Sequence, residues 1–262
     1  MAGRLLIITI ALVGFGTTRG LAQLSTSGQA AVDFYHSAIA SAESGRSPRG
    51  IEAAFSALSS VRDALMEVRS GRNVLESLPD EEFQRLGRDL PGAILNRDEV
   101  VFVEPDPDYF RTLAAARGDG ADRAFFSAFK ATHPESVWPL YVEQQTDAGG
   151  CTRFGSMTLV ETYRTWVDFQ RRFRGRYAAG AQKETDAVIE QLTTSTCACG
   201  DLASVERELQ RFRRRFPTSP ARARIDRRLQ AVRAGRSGIR TRCVADGANR
   251  REHGAILDAD PA

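Results

Sequence analysis

The sequence lacks a hydrophobic run long enough to cross a membrane. Its longest apolar stretch, residues 5–15, has about a dozen residues, whereas a membrane-spanning helix needs roughly 20. No other stretch of the sequence comes near that length. We therefore expect a protein without a membrane span.

The motifs of common enzyme classes are also missing. The sequence has no phosphate-binding glycine loop, no Gly-x-Ser-x-Gly turn and no helix with paired zinc-binding histidines. Its histidines, His36, His133 and His253, are scattered. Neighbouring acids such as Asp106 and Asp108 are expected by chance at this acid content. No catalytic residue, metal ligand or cofactor is predicted, and a non-enzymatic role is favoured over an enzymatic one.

The first 22 residues have the three parts of a secretory signal peptide. Arg4 supplies the positive charge, and residues 5–15 form the apolar part. Gly20 and Ala22 are the small residues that precede a cleavage site, so we predict cleavage after Ala22. The first cysteine is Cys151, so this junction has no cysteine for the lipid attachment of lipoproteins. We expect a periplasmic or secreted protein that is soluble after cleavage.

Lysine is rare, and arginine is concentrated towards the C-terminal end. Only Lys130 and Lys183 are lysines, and residues 202–243 contain thirteen arginines against three acids. This excess predicts a basic surface with the members Arg211, Arg213, Arg214, Arg215, Arg224 and Arg228. A solvated face without a ligand is favoured over an anion-binding surface. Nucleic acid is not expected as a partner, because an exported protein seldom meets it.

Apolar residues at three- and four-residue spacing predict an N-terminal helical region, residues 23–150. Val32, Tyr35 and Ile39 fall on one face of a first helix, and a second helix completes a hairpin. Shorter helices follow. Residues 100–103 are an isolated extended candidate, and one strand alone does not form a sheet. The predicted fold class is therefore all-α.

Residues 151–243 predict two further helical hairpins of similar design. In each, an amphipathic helix ends in a pair of phenylalanines, and an alanine-rich helix returns. Phe169 and Phe173 of the first hairpin match Phe212 and Phe216 of the second, with an offset of 43 residues in both cases. Such internal similarity is typical of stacked antiparallel helical hairpins.

The second of these hairpins combines paired aromatics, a proline turn and an alanine-rich helix. The residues of this pattern are Phe212, Phe216, Pro217, Ser219, Pro220, Ala221 and Ala223, followed by Arg228 and Leu229. The pattern resembles the tetratricopeptide-like repeats of periplasmic outer-membrane assembly and cell-division coordination proteins. The first hairpin departs from it, since residues 174–177 replace the proline turn. The resemblance covers about 75 residues, and it implies a protein-binding or architectural role.

Four cysteines, an even number, predict two disulfides in an exported chain. Because the two ends of an antiparallel hairpin lie close together, we expect one bridge to close each hairpin. Cys151 would pair with Cys197 or Cys199, and the remaining one of those two with Cys243. A bridge between Cys197 and Cys199 is disfavoured by strain, and a zinc site or a nucleophilic cysteine by the lack of a nearby histidine. Residues 244–262 are expected to form a disordered tail.

The densest group of potential ligand-binding side chains lies between residues 133 and 147. It consists of Trp138, Tyr141, Gln144, Gln145 and Asp147. The rings suit stacking on a ligand, and the amides and the carboxylate suit hydrogen bonds to hydroxyl groups. A structural role, with the two rings in the core and Asp147 bonded within its own turn, is favoured over ligand binding.

Three functional hypotheses follow from these features. The favoured one is an exported helical protein of the cell envelope that binds an envelope protein or an anionic envelope polymer. The second is a periplasmic hydrolase with a site near residues 133–147, which a cleft with convergent carboxylates would support. The third is a structural protein without a ligand.

Overall fold

The computed structural model describes residues 24–135, 137–146 and 149–243. The predicted signal peptide, residues 1–22, and the predicted disordered tail, residues 244–262, lie outside the described residues. Both therefore stay predictions.

The described residues form ten helices and six short strands. The helices are α1 (Thr26–Ser44), α2 (Gly50–Leu65), α3 (Val74–Ser77), α4 (Asp80–Asp89), α5 (Pro107–Arg117), α6 (Gly120–Thr132), α7 (Thr158–Arg172), α8 (Ala178–Thr194), α9 (Leu202–Arg215) and α10 (Arg222–Arg233). The strands are β1 (Val68–Arg69), β2 (Arg72–Asn73), β3 (Ala93–Asn96), β4 (Phe102–Pro105), β5 (Val142–Thr146) and β6 (Gly149–Thr152). Consecutive strands pair as three separate antiparallel ribbons.

The two predicted N-terminal helices are confirmed by α1 and α2, which pack against each other. Helix α1 begins after Ser25, whose hydroxyl accepts the N–H of Gly28 at 3.1 Å. It ends at Gly45, which has a left-handed backbone with a φ of 65° that favours glycine. The predicted apolar face is buried, with Val32 1% and Tyr35 0% exposed. Burial of this face against α2 therefore accounts for the spacing in the sequence.

The prediction of an all-α fold is confirmed only in part, because the described residues are mostly helical but also form the three ribbons. Residues 100–103 were expected to remain isolated, yet β4 pairs with β3, and Leu95 lies opposite Val103. The Asp106 N–H closes this ribbon by donating to the carbonyl oxygen of Gly92 at 2.9 Å. A four-residue strand such as β3 contains too few residues for its periodicity to be recognised. The sequence therefore does not reveal the partner strand.

Two hydrophobic cores meet at α7. The N-terminal core contains residues of α1, α2, α5 and α6 and also takes Trp166 and Phe169 from α7. The C-terminal core contains residues of α7 to α10, among them Tyr163. The fully buried indole N–H of Trp166 donates to Oγ1 of Thr132 at 3.1 Å. Helix α7 thus joins the N-terminal helical region to the C-terminal hairpins.

Helices α7 and α9 end in the same way. Phe173 follows α7 and Phe216 follows α9, and their N–H groups donate at 2.9 Å to the carbonyl oxygens of Phe169 and Phe212. Their backbone angles are also similar, with φ and ψ of −119° and 59° at Phe173 and −127° and 64° at Phe216. The two phenylalanine pairs therefore have equivalent local geometry. The resemblance to a repeat family stays a prediction.

A buried carboxylate of α9 caps the start of α7. Glu208 is 0% exposed and accepts the N–H groups of Gly155 at 3.0 Å, Met157 at 3.4 Å and Val160 at 3.4 Å. The first N–H groups of a helix have no partner within it. Burial raises the pKa of Glu208, although these hydrogen bonds act in the opposite direction. The buried charge is therefore explained by a structural contact between the two C-terminal hairpins.

Two pairs of cysteines lie at disulfide distance. One member of each pair, Cys197 or Cys199, lies in the segment that connects the two C-terminal hairpins. The sulfur atoms of Cys151 and Cys199 are 2.03 Å apart, and those of Cys197 and Cys243 are 2.18 Å apart. Each pair closes one hairpin, as predicted, and Cys151 pairs with Cys199. Backbone hydrogen bonds connect the central segment, residues 196–200, to the segments on both sides. The backbone thus holds both cysteine pairs in place.

Candidate ligand-binding cleft

A cleft of about 750 Å³ lies between the N-terminal helical region and α8. Its walls come from α2, β4, the segment that follows α6, and α8. Among the residues that line it are Phe55, Leu58, Ser59, Glu104, Phe129, His133, Tyr141, Tyr177, Lys183 and Glu184. Sites for small organic ligands have comparable volumes and a similar mixture of aromatic and polar groups.

Aromatic packing around Phe55 determines how closely α8 approaches α2. The Phe55 ring meets the rings of Phe125 and Phe129 edge to face, with centroids 5.2 and 5.6 Å apart. Gly180 of α8 lies against the same group, since a Cβ there would be 3.0 Å from Cζ of Phe125 and 3.2 Å from Cε1 of Phe55. Glycine at this position therefore permits the close approach that sets the spacing of the cleft walls.

The start of α8 is held by acids of the N-terminal region. Tyr177 has a left-handed backbone with a φ of 50°, which is unfavourable for a residue with a side chain. Its N–H donates to Oε1 of Glu52 at 2.5 Å, and its hydroxyl donates to Oδ1 of Asp122 at 2.7 Å. Burial and the hydrogen bond to Asp122 raise the pKa of Tyr177. These contacts fix the turn that positions α8.

A carboxylate and an imidazole are paired at the wall of the cleft. Glu184 is only 6% exposed, and its Oε2 lies 3.1 Å from Nε2 of His133. The other ring nitrogen, Nδ1, lies 3.3 Å from the carbonyl oxygen of Val137. Both nitrogens of His133 therefore face acceptors. Oε1 of Glu184 accepts no hydrogen bond from the described residues and is not sealed from the cleft, so it is available to a ligand.

The hydroxyl of Tyr141 is a second polar group available at this wall. Tyr141 is 2% exposed, lines the cleft and makes no side-chain hydrogen bond within the described part of the chain. Burial raises its pKa, and the negative charges of Glu184 and Glu190 raise it further. The phenol therefore remains protonated and able to donate a hydrogen bond to a ligand.

The other charged residues of the cleft wall have opposite charges beside them. Nζ of Lys183 lies 3.7 Å from Oε2 of Glu104, and the Lys183 side chain is 60% exposed at the cleft. Nε of Arg62 lies 3.3 Å from Oδ1 of Asp63. Glu184 differs from these pairs, because its neighbour is the imidazole of His133 and not a lysine or an arginine.

The structure separates the ligand-binding residues that the sequence suggested. Tyr141 lines the cleft, whereas Trp138, Gln144 and Gln145 are not among the described residues that line it. Trp138 is half-buried, and Gln144 is exposed on β5. The side-chain amide of Gln145 donates to the sulfur of Cys151 and to the carbonyl oxygen of Cys243.

Asp147, the fifth suggested residue, lies outside the described residues. The sequence did not single out Glu184, although a signal for it exists. Ala181, Thr185 and Val188 form the apolar seam of α8, and Glu184 lies beside them. A carboxylate next to a buried seam needs a partner, because burial of an unpaired charge is costly. This argument identifies Glu184 as a candidate from the sequence alone. Its partner, His133, can be identified only from the folded structure.

Most members of the predicted basic surface contact groups of the protein. Arg211 lies 3.4 Å from Glu208 and Arg213 lies 3.6 Å from Asp226, Arg224 donates to Thr193, and Arg228 donates to the carbonyl oxygens of Ser195 and Ser237. Burial lowers the pKa of Arg228, and its hydrogen bonds to two backbone carbonyl oxygens give it a structural role. Arg214 and Arg215 are exposed and make no hydrogen bond or ion pair within the described residues. They are the members most accessible to an anionic partner.

One cluster of potential metal ligands occurs within the described ranges, formed by Glu143, Cys151 and Cys199. The two sulfur atoms are 2.03 Å apart, the distance of a covalent disulfide. Thiolates are the form of cysteine that binds metals. The cluster is therefore explained by the disulfide.

None of the described helices has the length and apolar character that a membrane crossing requires.

Comparison of the chain with models of known protein families, with curated proteins and with solved structures gave no match. The geometry of the cleft and the chemistry of its walls are therefore the basis for a functional assignment.

Proposed function

We propose that this chain is an exported binding protein that holds part of an envelope component in the cleft between α2 and α8. The observation that carries the proposal is the pairing of a 750 Å³ cleft with two nearly buried polar groups, Glu184 and Tyr141, that are available to a ligand. Both groups line the cleft, so a ligand bound there could form hydrogen bonds with them.

Export is supported by the N-terminal sequence and by the cysteines. Residues 1–22 have the pattern of a signal peptide. All four cysteines lie in pairs at disulfide distance, and disulfides persist mainly in oxidising compartments such as the periplasm. A protein partner is favoured by the resemblance of the second C-terminal hairpin to tetratricopeptide-like repeats. The equivalent ends of α7 and α9 support the internal similarity of the two hairpins.

A hydrolase is the second candidate, because two carboxylates, Glu104 and Glu184, line the same cleft. The imidazole of His133 is poorly placed as a general base, since both of its nitrogens face acceptors. Oε1 of Glu184 is then the group available to activate a water molecule. Release of soluble fragments from purified peptidoglycan by the wild-type protein, and its loss in Glu184→Gln, would favour this candidate over a binding protein.

Photo-crosslinking in the native envelope tests the binding proposal. Ser59 and Ser60 are adjacent, exposed residues of α2, and Ser59 lines the cleft whereas Ser60 does not. A photoreactive benzoylphenylalanine at position 59 is expected to give a discrete, light-dependent adduct. The same residue at position 60 is the matched control and is expected to give none. Lack of an adduct at position 59 would favour a structural protein without a ligand.

A further inference from the structure

Within the proposed binding function, the walls of the cleft also indicate the chemical class of the ligand. We infer that the cleft binds a basic side chain, a lysine or an arginine of a partner polypeptide, with its cationic group at Oε1 of Glu184. This inference deepens the proposed function and rests on it.

The first argument is the hydrogen-bonding capacity of Glu184. A carboxylate only accepts hydrogen bonds, so a ligand at Oε1 must donate one. Glu184 is 6% exposed, and a carboxylate so far from solvent is stabilised best by a cationic donor. Tyr141 lines the same cleft, and its hydroxyl makes no side-chain hydrogen bond within the described residues. We call the part of the cleft wall that carries Glu184 and Tyr141 the polar corner.

The second argument is the balance of charges around that corner. The positive groups of the cleft wall are already matched, Lys183 by Glu104 and Arg62 by Asp63. The carboxylate of Glu52 is matched by Arg176. Unlike Glu52 and Glu104, Glu184 lies beside an imidazole and not beside a lysine or an arginine, and its Oε1 accepts no hydrogen bond from the described residues. An anionic ligand would meet this oxygen unfavourably, whereas a cation would complete the pattern.

The third argument is the apolar surface beside Glu184. Leu58, Phe129, Val137 and Tyr141 line the same cleft. Lysine and arginine have long hydrocarbon stems that pack on apolar surface while the charged end reaches a polar group. Aromatic faces also attract cations. The cleft thus offers apolar surface for the hydrocarbon stem of a basic side chain and a carboxylate, Glu184, for its charged end.

Three small probes of similar shape and different charge test the inference. These are 4-phenylbutylamine, 4-phenylbutanol and 4-phenylbutyrate, titrated into the full chain and followed by the backbone amide signals of Gly180 and Ala187, which line the cleft. A hydrogen bond to a charged group predicts that the amine binds about tenfold or more tightly than the alcohol. The carboxylate is expected to bind most weakly.

Two variants locate the origin of this preference. Glu184→Gln is expected to bring the affinities for the amine and the alcohol close together. Asp186→Asn is the matched control, because Asp186 is an exposed acid on the same helix that is not among the lining residues. It removes one negative charge and is expected to leave the preference unchanged. Thermal unfolding of both variants checks that the fold is retained.

The inference is overturned if the wild-type protein binds the amine no better than the alcohol, or binds neither at the cleft amides. The wild-type series alone decides this, even if Glu184→Gln does not fold. It is also overturned if Glu184→Gln keeps the full preference for the amine. An adduct at position 59 together with equal binding of the probes would retain the proposed function and reject the cationic ligand. Preference for the amine without an adduct would reject the envelope partner and retain the site.

Discussion

Nε of Arg176 donates to Oε2 of Glu52 at 2.7 Å and joins two positions that are 124 residues apart in the sequence. The same guanidinium donates to Asp119 at 2.6 Å and to Asp122 at 2.8 Å. Glu52 belongs to α2, Asp119 and Asp122 lie at the start of α6, and Arg176 lies in the turn before α8. One arginine therefore fastens the first C-terminal hairpin to the N-terminal helical region, next to the cleft.

Replacing Arg176 should strongly destabilise the fold. The arginine is 14% exposed, and the side chains of Glu52 and Asp122 are 16% and 3% exposed. Arg176→Met would leave these carboxylates buried without a partner, and breaking a buried ion pair typically costs about 3–5 kcal/mol. Urea denaturation measures this loss in the free energy of unfolding. Arg174→Met, an exposed neighbour, is the control and should change it by less than about 0.5 kcal/mol; equal effects of the two variants would contradict the structural role of Arg176.

The same contacts predict how stability depends on acid. Burial raises the pKa of Asp119, but hydrogen bonds from Arg176 and from the backbone of Asp122 and Ala121 more than offset it and lower the pKa to about 2. The unfolded chain therefore binds a proton at Asp119 before the folded chain does. The stability from this group is complete above a pH of about 4 and is lost as the pH falls towards about 2.

Acid denaturation of Asp119→Asn tests this dependence. The variant lacks the titrating group, so its stability should fall less steeply than that of the wild type between about pH 4 and 2. Asp186→Asn, at an exposed position outside the contacts of Arg176, serves as the control. Parallel curves for the wild type and Asp119→Asn would show that the low pKa is not linked to folding.

The longer helices could be predicted from the sequence because each has an apolar stripe of sufficient length, whereas the four-residue helix α3 could not. Phe169 and Phe212 show this, since their equivalent spacing corresponds to equivalent backbone geometry at the ends of α7 and α9. Strand β3 could not be predicted, because its four residues are too few for a recognisable periodicity, and the extended candidate at residues 100–103 therefore had no visible partner. Fold class was therefore predicted only in part.

The cleft could not be predicted from local patterns. Arg176 appears in the sequence only as a departure from the proline turn of a repeat, although it binds three distant acids. Likewise, Glu184 and His133 are 51 residues apart and become a pair only through tertiary packing. The ligand residues predicted from the sequence share only their nearness along the chain. Of these, Tyr141 alone among the described members lines the cleft.

The two cysteine pairs should contribute similar amounts of stability. They close loops with sequence separations of 48 and 46 residues. Chain entropy predicts a contribution of about 4 kcal/mol for each loop of this length. Replacement of Cys151 and Cys199 together by serine should lower the free energy of unfolding by about that amount, as measured by urea denaturation.

The corresponding double variant of Cys197 and Cys243 gives the comparison. Peptide mapping without reduction should find Cys151 joined to Cys199. Recovery of a peptide that joins Cys151 to Cys243 would contradict the pairing in the structure. A reductant should have no further effect on a variant that lacks all four cysteines, which controls for effects outside the disulfides.

Removing the hydroxyl of Tyr141 should separate ligand binding from stability. This hydroxyl makes no hydrogen bond within the described residues, so Tyr141→Phe should leave the free energy of unfolding unchanged or raise it by up to about 1 kcal/mol. Tyr163→Phe is the matched control, because the Tyr163 hydroxyl lies 3.0 Å from Oγ of Ser219. Loss of that hydrogen bond should cost about 1 kcal/mol.

The effects of the two variants on ligand affinity should be the reverse of their effects on stability. Tyr141→Phe should weaken the binding of 4-phenylbutylamine several-fold, because the ligand loses a hydrogen-bond partner in the polar corner of the cleft. Tyr163→Phe should bind it as the wild type does, since Tyr163 is not among the described residues that line the cleft. Urea denaturation and probe titration of the same two proteins measure both effects. If Tyr141→Phe lost stability and kept its affinity, the Tyr141 hydroxyl would belong to the fold and not to the site.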